Sequence, residues 1–407
     1  IAIAGGGAAG LATALFSKRF HPTASVVVLD GAHRLGAKIL VSGGSRCNVT
    51  NARVTDTDFW GGRRTAIRRV LRGFTVADTV AFFNELGVPL HEENDGKLFP
   101  NTNRSRDVLN ALVTAAIDAG VTIVTDARVL DVLKRDGGFD VVTSAGDVHA
   151  AKIVLATGGR SLPKSGSDGG GFEIARHLGH TIVTTTPALV PLLLDPERSI
   201  HRQLSGVAHD AELTLWTDGA VEIRLRGSLL WTHFGISGPV TLDISRHWLR
   251  AALECRRASL TLSFCPGRTF EDLDRWWTAS ASERPHAQVV TQLATLIPAS
   301  VADALARQAA IPTETTLAHL PRESRRRLSH ALVNWPLTVT GDRGYTYAEA
   351  TAGGVSLDEI DPSTMRSRVC DGLWLVGEIL DVDGRIGGFN FQWAWSSARV
   401  AARALGT

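Results

Sequence analysis

Three glycines near the start of the chain, and one acid after them, have the types and spacing to bind a dinucleotide. Gly5, Gly7 and Gly10 fit the pattern G-x-G-x-x-G. The first would allow a tight turn, the second would let a pyrophosphate approach the backbone, and the third would let a helix pack closely on a strand. Asp30 ends the next apolar run, where a carboxylate accepts hydrogen bonds from ribose hydroxyls and repels a 2′-phosphate. The pattern therefore predicts FAD or NAD rather than NADP.

Two further side chains are candidates for catalysis, and each has a plainer structural alternative. His233 stands in the glycine-rich stretch WTHFGISGP, and a histidine can donate the proton that accompanies hydride transfer. The alternative is a histidine that only supports the fold. Cys47 is a candidate redox thiol, although a small buried cysteine is the commoner role. The four cysteines show neither C-x-x-C nor metal-ligand spacing, so no metal site is predicted.

The elements that must position the glycines and the acid occupy residues 1–30. This stretch predicts a strand, a glycine turn, a helix over residues 8–20 and a second apolar strand. Free amides at the helix N-terminus would face a diphosphate. Residues 36–51, GAKILVSGGSRCNVTN, are predicted to form a loop whose amides, with Lys38 and Arg46, wrap the phosphates. A plain surface loop is the alternative.

Later strands also end in glycine. Residues 121–125, 128–134, 139–143 and 148–151 are predicted to form a small β-meander, and the buried strand that follows leads to Gly158.

Near the C-terminus, a buried strand over residues 373–376 ends in Gly377-Glu378. A glycine turn over residues 384–389 then precedes a final helix over residues 392–405. Its positive N-terminal end is expected beside the flavin ring, where it would stabilise the reduced anion. The alternative is a simple turn before a terminal helix.

Length and breaks in the pattern set the domain organisation. A chain of 407 residues is too long for one ordinary core, and Pro187 and Pro191 mark a boundary. We predict an FAD-binding domain built from residues 1–187 and 346–407. An inserted β-rich, barrel-like domain is predicted over residues 188–265 and 333–345, with a helical subdomain over residues 266–332. The fold class is therefore α/β.

Composition argues against several partners. A net charge of +2 gives no drive towards nucleic acid or acidic membranes, and no apolar run is long enough to span a bilayer. A helix over residues 65–74 carries a cluster of arginines, but a solvated face is favoured over a nucleic-acid patch because no aromatic residues interleave. The cysteine pattern predicts a cytoplasmic protein. The chain begins inside a strand without Met, so further N-terminal residues are expected.

Four long motifs carry a resemblance to a known family. They are the stretch at residues 36–51, WTHFGISGP, TAGGVSLDEID and GLWLVGEILDVDGRIGGFNFQWAWSS. With these motifs, nearly the whole chain resembles the HI0933/YhiN flavoprotein family, also described as BaiN-like or aminoacetone-oxidase-type. The resemblance implies a Rossmann-type FAD-binding domain of the two-dinucleotide-binding flavoprotein kind, built from both ends of the chain, and non-covalently bound FAD.

The resemblance also implies a set of cofactor contacts, to which the patterns above add Gly10 and Glu378. The predicted cofactor-binding residues are Gly5, Gly7, Ala9, Gly10, Asp30, Lys38, Gly43, Arg46, Asn48, Val129, Gly158, Gly377, Glu378, Asp381, Gly388 and Asn390. Three positions depart from the family pattern. Asp30 stands where Glu is more usual, Arg385-Ile386 replaces an acid–threonine pair, and Phe389 replaces a tyrosine.

The resemblance implies an FAD-dependent oxidoreductase that passes a hydride between flavin N5 and a small organic substrate. No second G-x-G-x-x-G follows a strand, so NAD(P)H is expected to bind only transiently as the reductant. The alternatives are an oxygen-using amine oxidase of the same family, a tRNA-modifying flavoprotein, and a nucleotide-binding protein without catalysis. Neither nucleic acid nor membrane is the expected partner.

Overall fold

The computed structural model describes residues 1–406, which contacts divide into two compact units. The first unit combines Ile1–Ala188 with residues 345–406, and the second is Leu189–Gly344. Twelve helices lie in this described part of the chain. They are, from α1 to α12, Ala8–Phe20, Ala37–Ser45, Arg64–Gly73, Val76–Glu85, Ser105–Asp118, Gly170–His177, Pro239–Leu253, Phe270–Glu283, Val289–Leu293, Ala299–Gln308, Arg322–Val333 and Phe389–Ala404. No helix among residues 1–406 has both the length and the apolar character to cross a bilayer.

A five-stranded parallel sheet forms the centre of the first unit. From edge to edge its strands are Leu373–Leu375, Ile153–Leu155, Ala2–Ala4, Val27–Leu29 and Thr122–Val124. Strands from both ends of the chain thus share one sheet, and the side chains of its strands are mostly buried except at the edge strand Thr122–Val124, as in parallel sheets covered on both faces. The carboxyl ends of all five strands meet at one edge, where ligands of such folds bind.

Smaller antiparallel sheets complete the first unit. One contains Val148–Ala150, Gly138–Thr143 and Val129–Arg135, and another contains Thr50–Asn51, Lys97–Pro100 and Leu90–Glu92. Two strand pairs join Ile182–Ala188 to Ala350–Val355 and Val382–Gly384 to Phe59–Gly61. The predicted four-stranded meander is wrong in its first strand. Thr122–Val124 follows α5 and pairs in parallel with Val27–Leu29, because a strand after a crossover helix can rejoin the central sheet.

The C-terminal helix fastens the two ends of the chain together. Gln392 of α12 is buried, and its amide oxygen accepts hydrogen bonds from the hydroxyls of Thr50 (2.6 Å) and Thr79 (2.9 Å). Its amide nitrogen donates to the carbonyl of Phe74 (2.9 Å) and to Ser396 (3.1 Å). A buried amide with every bond made fixes the position of α12 against the N-terminal half of the unit.

A seven-stranded antiparallel sheet dominates the second unit. Its strands are, in spatial order, Trp335–Leu337, Ala258–Ser263, Ala208–Thr217, Ala220–Thr232, Gly235–Ser237, Leu192–Leu194 and Val339–Asp342. Helices α8 to α11 share one apolar core with this sheet. The helix after WTHFGISGP, α7, has 15 residues, because Pro239 at its first turn favours helix and neither Gly nor Pro follows before Leu253. The separate boundaries of a β-rich and a helical part stay predictions.

The stretch at residues 36–51 is also more regular than predicted. Residues expected to form a loop instead contain α2, which is kinked at Ser42, Gly43 and Gly44. Both glycines have positive φ, and the kink ends the helical turn before Arg46. The glycines of this stretch led to the prediction of a loop. In the structure they interrupt a helix and do not prevent it.

Candidate FAD-binding and active site

The glycine turn after the first strand has one filled side and one open side. Gly5 has φ +106°, and a Cβ there would lie 2.5 Å from the carbonyl oxygen of Ala156. A Cβ on Gly10 would overlap the carbonyl oxygen of Gly5. A Cβ on Gly7, in contrast, would meet no atom within 4 Å. The turn is tightly packed against the sheet and leaves space at Gly7 for a ligand.

The first helix offers free amides at this open side. Gly7 is the N-cap of α1, with no side-chain cap and no acid in the first turn. Uncapped N–H groups and the positive end of the helix dipole bind phosphate. This arrangement suits the diphosphate of a dinucleotide.

Asp30 lies beside the turn at the end of the neighbouring strand. One carboxylate oxygen accepts a hydrogen bond from the amide of Gly6 (2.5 Å), and the other accepts one from Ala32 (2.8 Å). A carboxylate has about four acceptor sites, so two remain for ribose hydroxyls. The backbone carbonyl of Asp30 accepts a hydrogen bond from the amide of Ala127 (2.8 Å). Val129 comes two residues after Ala127, so it lies on a segment that is bonded to the end of the strand Val27–Leu29.

The carboxyl ends of two further strands reach the same edge. Gly158 follows the strand Ile153–Leu155 with φ +73°, and a Cβ there would lie 2.7 Å from the hydroxyl of Ser167. Gly377 follows Leu373–Leu375, and a Cβ there would lie 2.8 Å from the Cβ of Ala9. The N-terminal turn and the C-terminal segment are therefore in direct contact.

A charged network crosses this edge. The ammonium of Lys38 donates to Glu378 (2.5 Å) and to the hydroxyl of Ser161 (2.6 Å). Glu378 also accepts from the Ser161 hydroxyl (2.8 Å) and from the amide of Thr351 (3.0 Å). The side chains of Lys38 and Glu378 are 26% and 19% exposed, so a bound molecule can still reach them.

Arg46, Asn48 and Gly43 surround the kink of α2. Arg46 pairs with Glu93 (2.7 Å), which lowers the pKa of that carboxyl, and lies over the ring of Phe99. Asn48 is buried, and its side-chain oxygen has no hydrogen-bond partner among the described residues. Because an unpaired buried oxygen is costly, a donor group on a bound ligand would stabilise it.

The N-terminus of α12, like that of α1, has no side-chain cap. Gly388 is its N-cap with φ +94°, and the first turn has neither a side-chain cap nor an acid. Both ends of the Asn390 side-chain amide bond the backbone of Gly384 (2.8 and 3.1 Å) and so hold the turn, and its contact with the cofactor stays a prediction. The backbone of Asp381 bonds to Gly62 and Val355.

The two catalytic candidates lie in different units. Cys47 is fully buried in the first unit, and burial raises the pKa of its thiol to about 12. Such a cysteine is a neutral thiol at physiological pH, which favours the structural alternative. His233 is exposed in the second unit, at the turn between Ala220–Thr232 and Gly235–Ser237. Its catalytic role stays a prediction.

The residues of the first unit fit a dinucleotide. Two uncapped helix ends, the open side at Gly7, the spare acceptor capacity of Asp30 and the unpaired oxygen of Asn48 all belong to the elements around one sheet edge. Among residues 1–406 no group of three histidine, cysteine or acidic side chains is arranged to hold a metal ion.

Comparison with known proteins settles the family. The HI0933-like protein Rossmann domain family matches residues 1–404. The chain belongs to this family. It is 31% identical over 404 residues to the 3-dehydro-bile acid delta(4,6)-reductase of Clostridium scindens, covering 99% of this chain and 98% of that protein. It is 32% identical over 381 residues to the ribosomal RNA dihydrouridine synthase of Escherichia coli, covering 93% and 92% of the two chains.

The predicted family and fold class are thereby confirmed, and this HI0933-like protein is a flavoprotein oxidoreductase with a Rossmann nucleotide-binding domain. A solved E. coli quinol fumarate reductase FrdA chain has a similar fold, with a TM-score of 0.50 over 99% of this chain and 68% of that one. The two chains are only 15% identical, so this likeness concerns the fold alone.

Sequence reasoning missed two members of the charged network, Ser161 and Thr351. Ser161 follows the glycine pair after a buried strand, and Thr351 opens the motif TAGGVSLDEID. Hydroxyl and amide groups of this kind carry no periodic signal. Their position at glycine-rich strand ends was the available clue.

Proposed function

We propose that this protein is an FAD-dependent reductase that adds a hydride and a proton across a carbon–carbon double bond conjugated to a carbonyl. The named reactions of both relatives support this class, since a delta(4,6)-unsaturated ketone and the uracil ring each contain such a bond. The observation that carries the proposal is the convergence of both chain ends, with two uncapped helix N-termini, at one sheet edge.

The residues divide the binding work among them. The amides at the start of α1 would hold the diphosphate, and Asp30 would accept hydrogen bonds from the ribose. The chemistry that FAD would supply when bound is hydride transfer from its reduced ring. The N-terminal end of α12 carries a positive dipole that stabilises negative charge beside it.

The second hydrogen is a proton, and Lys38 is our candidate for its source. Its ammonium is partly exposed and is oriented by Glu378 and Ser161, so one N–H remains after those two bonds. A proton given up by Lys38 Nζ to the carbon next to the carbonyl completes the reduction, and solvent restores the ammonium. NAD(P)H, bound transiently, supplies the electrons.

Purified protein tests the proposal directly. It is expected to be yellow from bound flavin, to be bleached by NADH or NADPH, and to be reoxidised faster by a cyclic enone than by oxygen. Protein that cannot be loaded with FAD removes the proposal. Flavin that reacts rapidly with oxygen after reduction by amines, and ignores enones, replaces it with the amine-oxidase alternative.

A second candidate differs only in the substrate, which would be a uracil base in RNA. The similarity to a ribosomal RNA dihydrouridine synthase over most of both chains favours it, in contrast to the expectation from net charge. Incubation of the reduced protein with unmodified ribosomal RNA distinguishes the two. Dihydrouridine in the digested RNA supports this candidate, and its absence together with enone turnover supports the small-molecule reductase.

A further inference from the structure

A basic cleft lies in the first unit, at the other end of α12 from the predicted FAD site. It has a volume of about 360 Å³ and is lined by Arg69 of α3, by Arg399 and Arg403 of α12, and by Ser363 and Thr364 of the loop before the last sheet strand. Arg399 is ten residues beyond the start of α12, which places it roughly 15 Å along the helix from that N-terminus. The cleft is therefore separate from the cofactor site.

Among residues 1–406, no carboxylate lies within ion-pair distance of the three arginines that line the cleft. Neighbouring arginines do: Arg63 pairs with Asp358 (2.7 Å) and Arg68 with Asp56 (2.9 Å). Unpaired like charges so close together are unfavourable unless an anion joins them.

Arg399 shows this repulsion most clearly. Burial and then the nearby charge of Arg403 lower its pKa, although Asp78 acts in the opposite direction. Its guanidinium is held over the rings of Phe16, Phe20 and Phe74, at 4.6 Å from the centroid of Phe20. A cation fixed by stacking is pre-organised, so little side-chain freedom is lost when it binds a ligand.

The loop side of the cleft is also fixed in place. Asp361 accepts hydrogen bonds from the amide (2.9 Å) and the hydroxyl (2.6 Å) of Ser363, and it lies 4.0 Å from Arg368. This acid, which adjoins the cleft, is thus already engaged by its own loop.

We infer that this cleft is a second binding site, which takes a phosphate group by charge-assisted hydrogen bonds from Arg69, Arg399 and Arg403. Guanidiniums match phosphate oxygens in geometry as well as charge. The phosphate can belong to a small phosphorylated molecule or to the backbone of RNA, and the two sources are distinguishable by experiment. The inference does not depend on the proposed reductase function.

The test uses full-length, FAD-loaded protein and two probes, inorganic pyrophosphate and a fluorescein-labelled single-stranded RNA. The variant Arg69→Gln/Arg403→Gln removes two of the cleft arginines and leaves the stacked Arg399 in place. The control Arg64→Gln/Arg106→Gln removes the same charge from exposed positions outside the cleft. Thermal unfolding confirms that both variants are folded, and flavin reduction by NAD(P)H checks that the cofactor site is unchanged.

We expect the cleft variant to bind at least one probe on the order of tenfold more weakly than the control. For RNA, the slope of log affinity against log salt is expected to fall by ~0.7, the contribution of one lost phosphate contact on a single strand. Loss of pyrophosphate binding alone assigns a small phosphorylated ligand, and loss of RNA binding assigns a nucleic-acid backbone. If neither probe binds the parent protein, or both variants bind equally well, the inference is overturned.

Discussion

Two side-chain networks in the first unit look alike in composition and differ in accessibility. In one, the hydroxyl of Ser367 lies 2.8 Å from Nε2 of His180, whose Nδ1 lies 2.8 Å from Glu359. In the other, Ser161 and Lys38 bond Glu378. The first has the serine–histidine–acid order of a hydrolase triad.

The serine–histidine–acid network is nevertheless a structural clamp. The side chain of His180 is 0% exposed, and the oxygen of Ser367 also accepts hydrogen bonds from the amides of Val369 (3.0 Å) and Cys370 (2.8 Å). Ser367 and His180 are buried with their hydrogen bonds made, so no substrate can reach the serine or the histidine, although Glu359 is partly exposed. The Lys38 network, in contrast, is partly exposed. The Asn48 side chain, which belongs to the segment after α2, has an unpaired oxygen. Access and unmet bonding capacity, more than residue identity, separate a site from a clamp.

The largest effect is expected from Lys38→Met. Loss of an oriented proton donor should slow reoxidation of the reduced flavin by an enone about 100-fold, while reduction by NAD(P)H is affected much less. Stopped-flow absorbance measures both half-reactions, with FAD content as the check on binding. A variant with full FAD content and unchanged reoxidation would show that the proton comes from elsewhere.

Ser367→Ala should lower the stability of the protein and leave its turnover unchanged. It leaves a buried histidine nitrogen and two backbone amides without a partner, so we expect the free energy of unfolding to fall by about 1–3 kcal/mol. Turnover per folded, FAD-loaded molecule should not change. Urea denaturation and steady-state assays test this together. Lost turnover with unchanged stability would mean that the network is catalytic after all.

The same contrast between filled and open space separates two glycines of the phosphate turn. In Gly7→Ala the new methyl group enters space that the protein leaves empty, so folding should be normal and FAD affinity should fall roughly tenfold, about 1.4 kcal/mol. In Gly10→Ala the methyl group overlaps the carbonyl of Gly5, and the protein itself should be destabilised. Apoprotein stability and FAD titration distinguish these outcomes, and equal FAD affinity in Gly7→Ala and the parent would place the diphosphate elsewhere.

Local patterns made much of this site predictable, and long-range contacts did not. The strand, turn, helix and acid of residues 1–30 follow from spacing alone, because each element depends on neighbours within a few residues. Ser161 meets Lys38 and Glu378 across separations of 123 and 217 residues, which no local pattern encodes. The sequence did not predict α2 because Gly43 and Gly44 have low helix propensity. Only tertiary packing, which local sequence does not reveal, shows that the helix persists up to the kink.

The smallest expected effect is on the pH dependence of the free energy of unfolding, and it tests whether the charge of Glu359 contributes to the clamp. Burial alone would raise the pKa of Glu359, but hydrogen bonds from Thr181 and His180 bring it below its ordinary value. A carboxyl with a lowered folded pKa stabilises the protein above its unfolded pKa, about 4.3, and loses that contribution as the pH falls through the folded value.

Glu359→Gln should therefore unfold more easily than the parent at pH 6–7, by less than about 1 kcal/mol because the group is partly exposed. The difference between the two should shrink as the pH falls below about 4.3. Denaturation curves at several pH values measure it, and taking the difference cancels the other carboxyls whose pKa is lowered, such as Asp361. A difference that is constant with pH would mean that Glu359 contributes only as a neutral hydrogen-bond acceptor, and its charge would then have no part in the clamp.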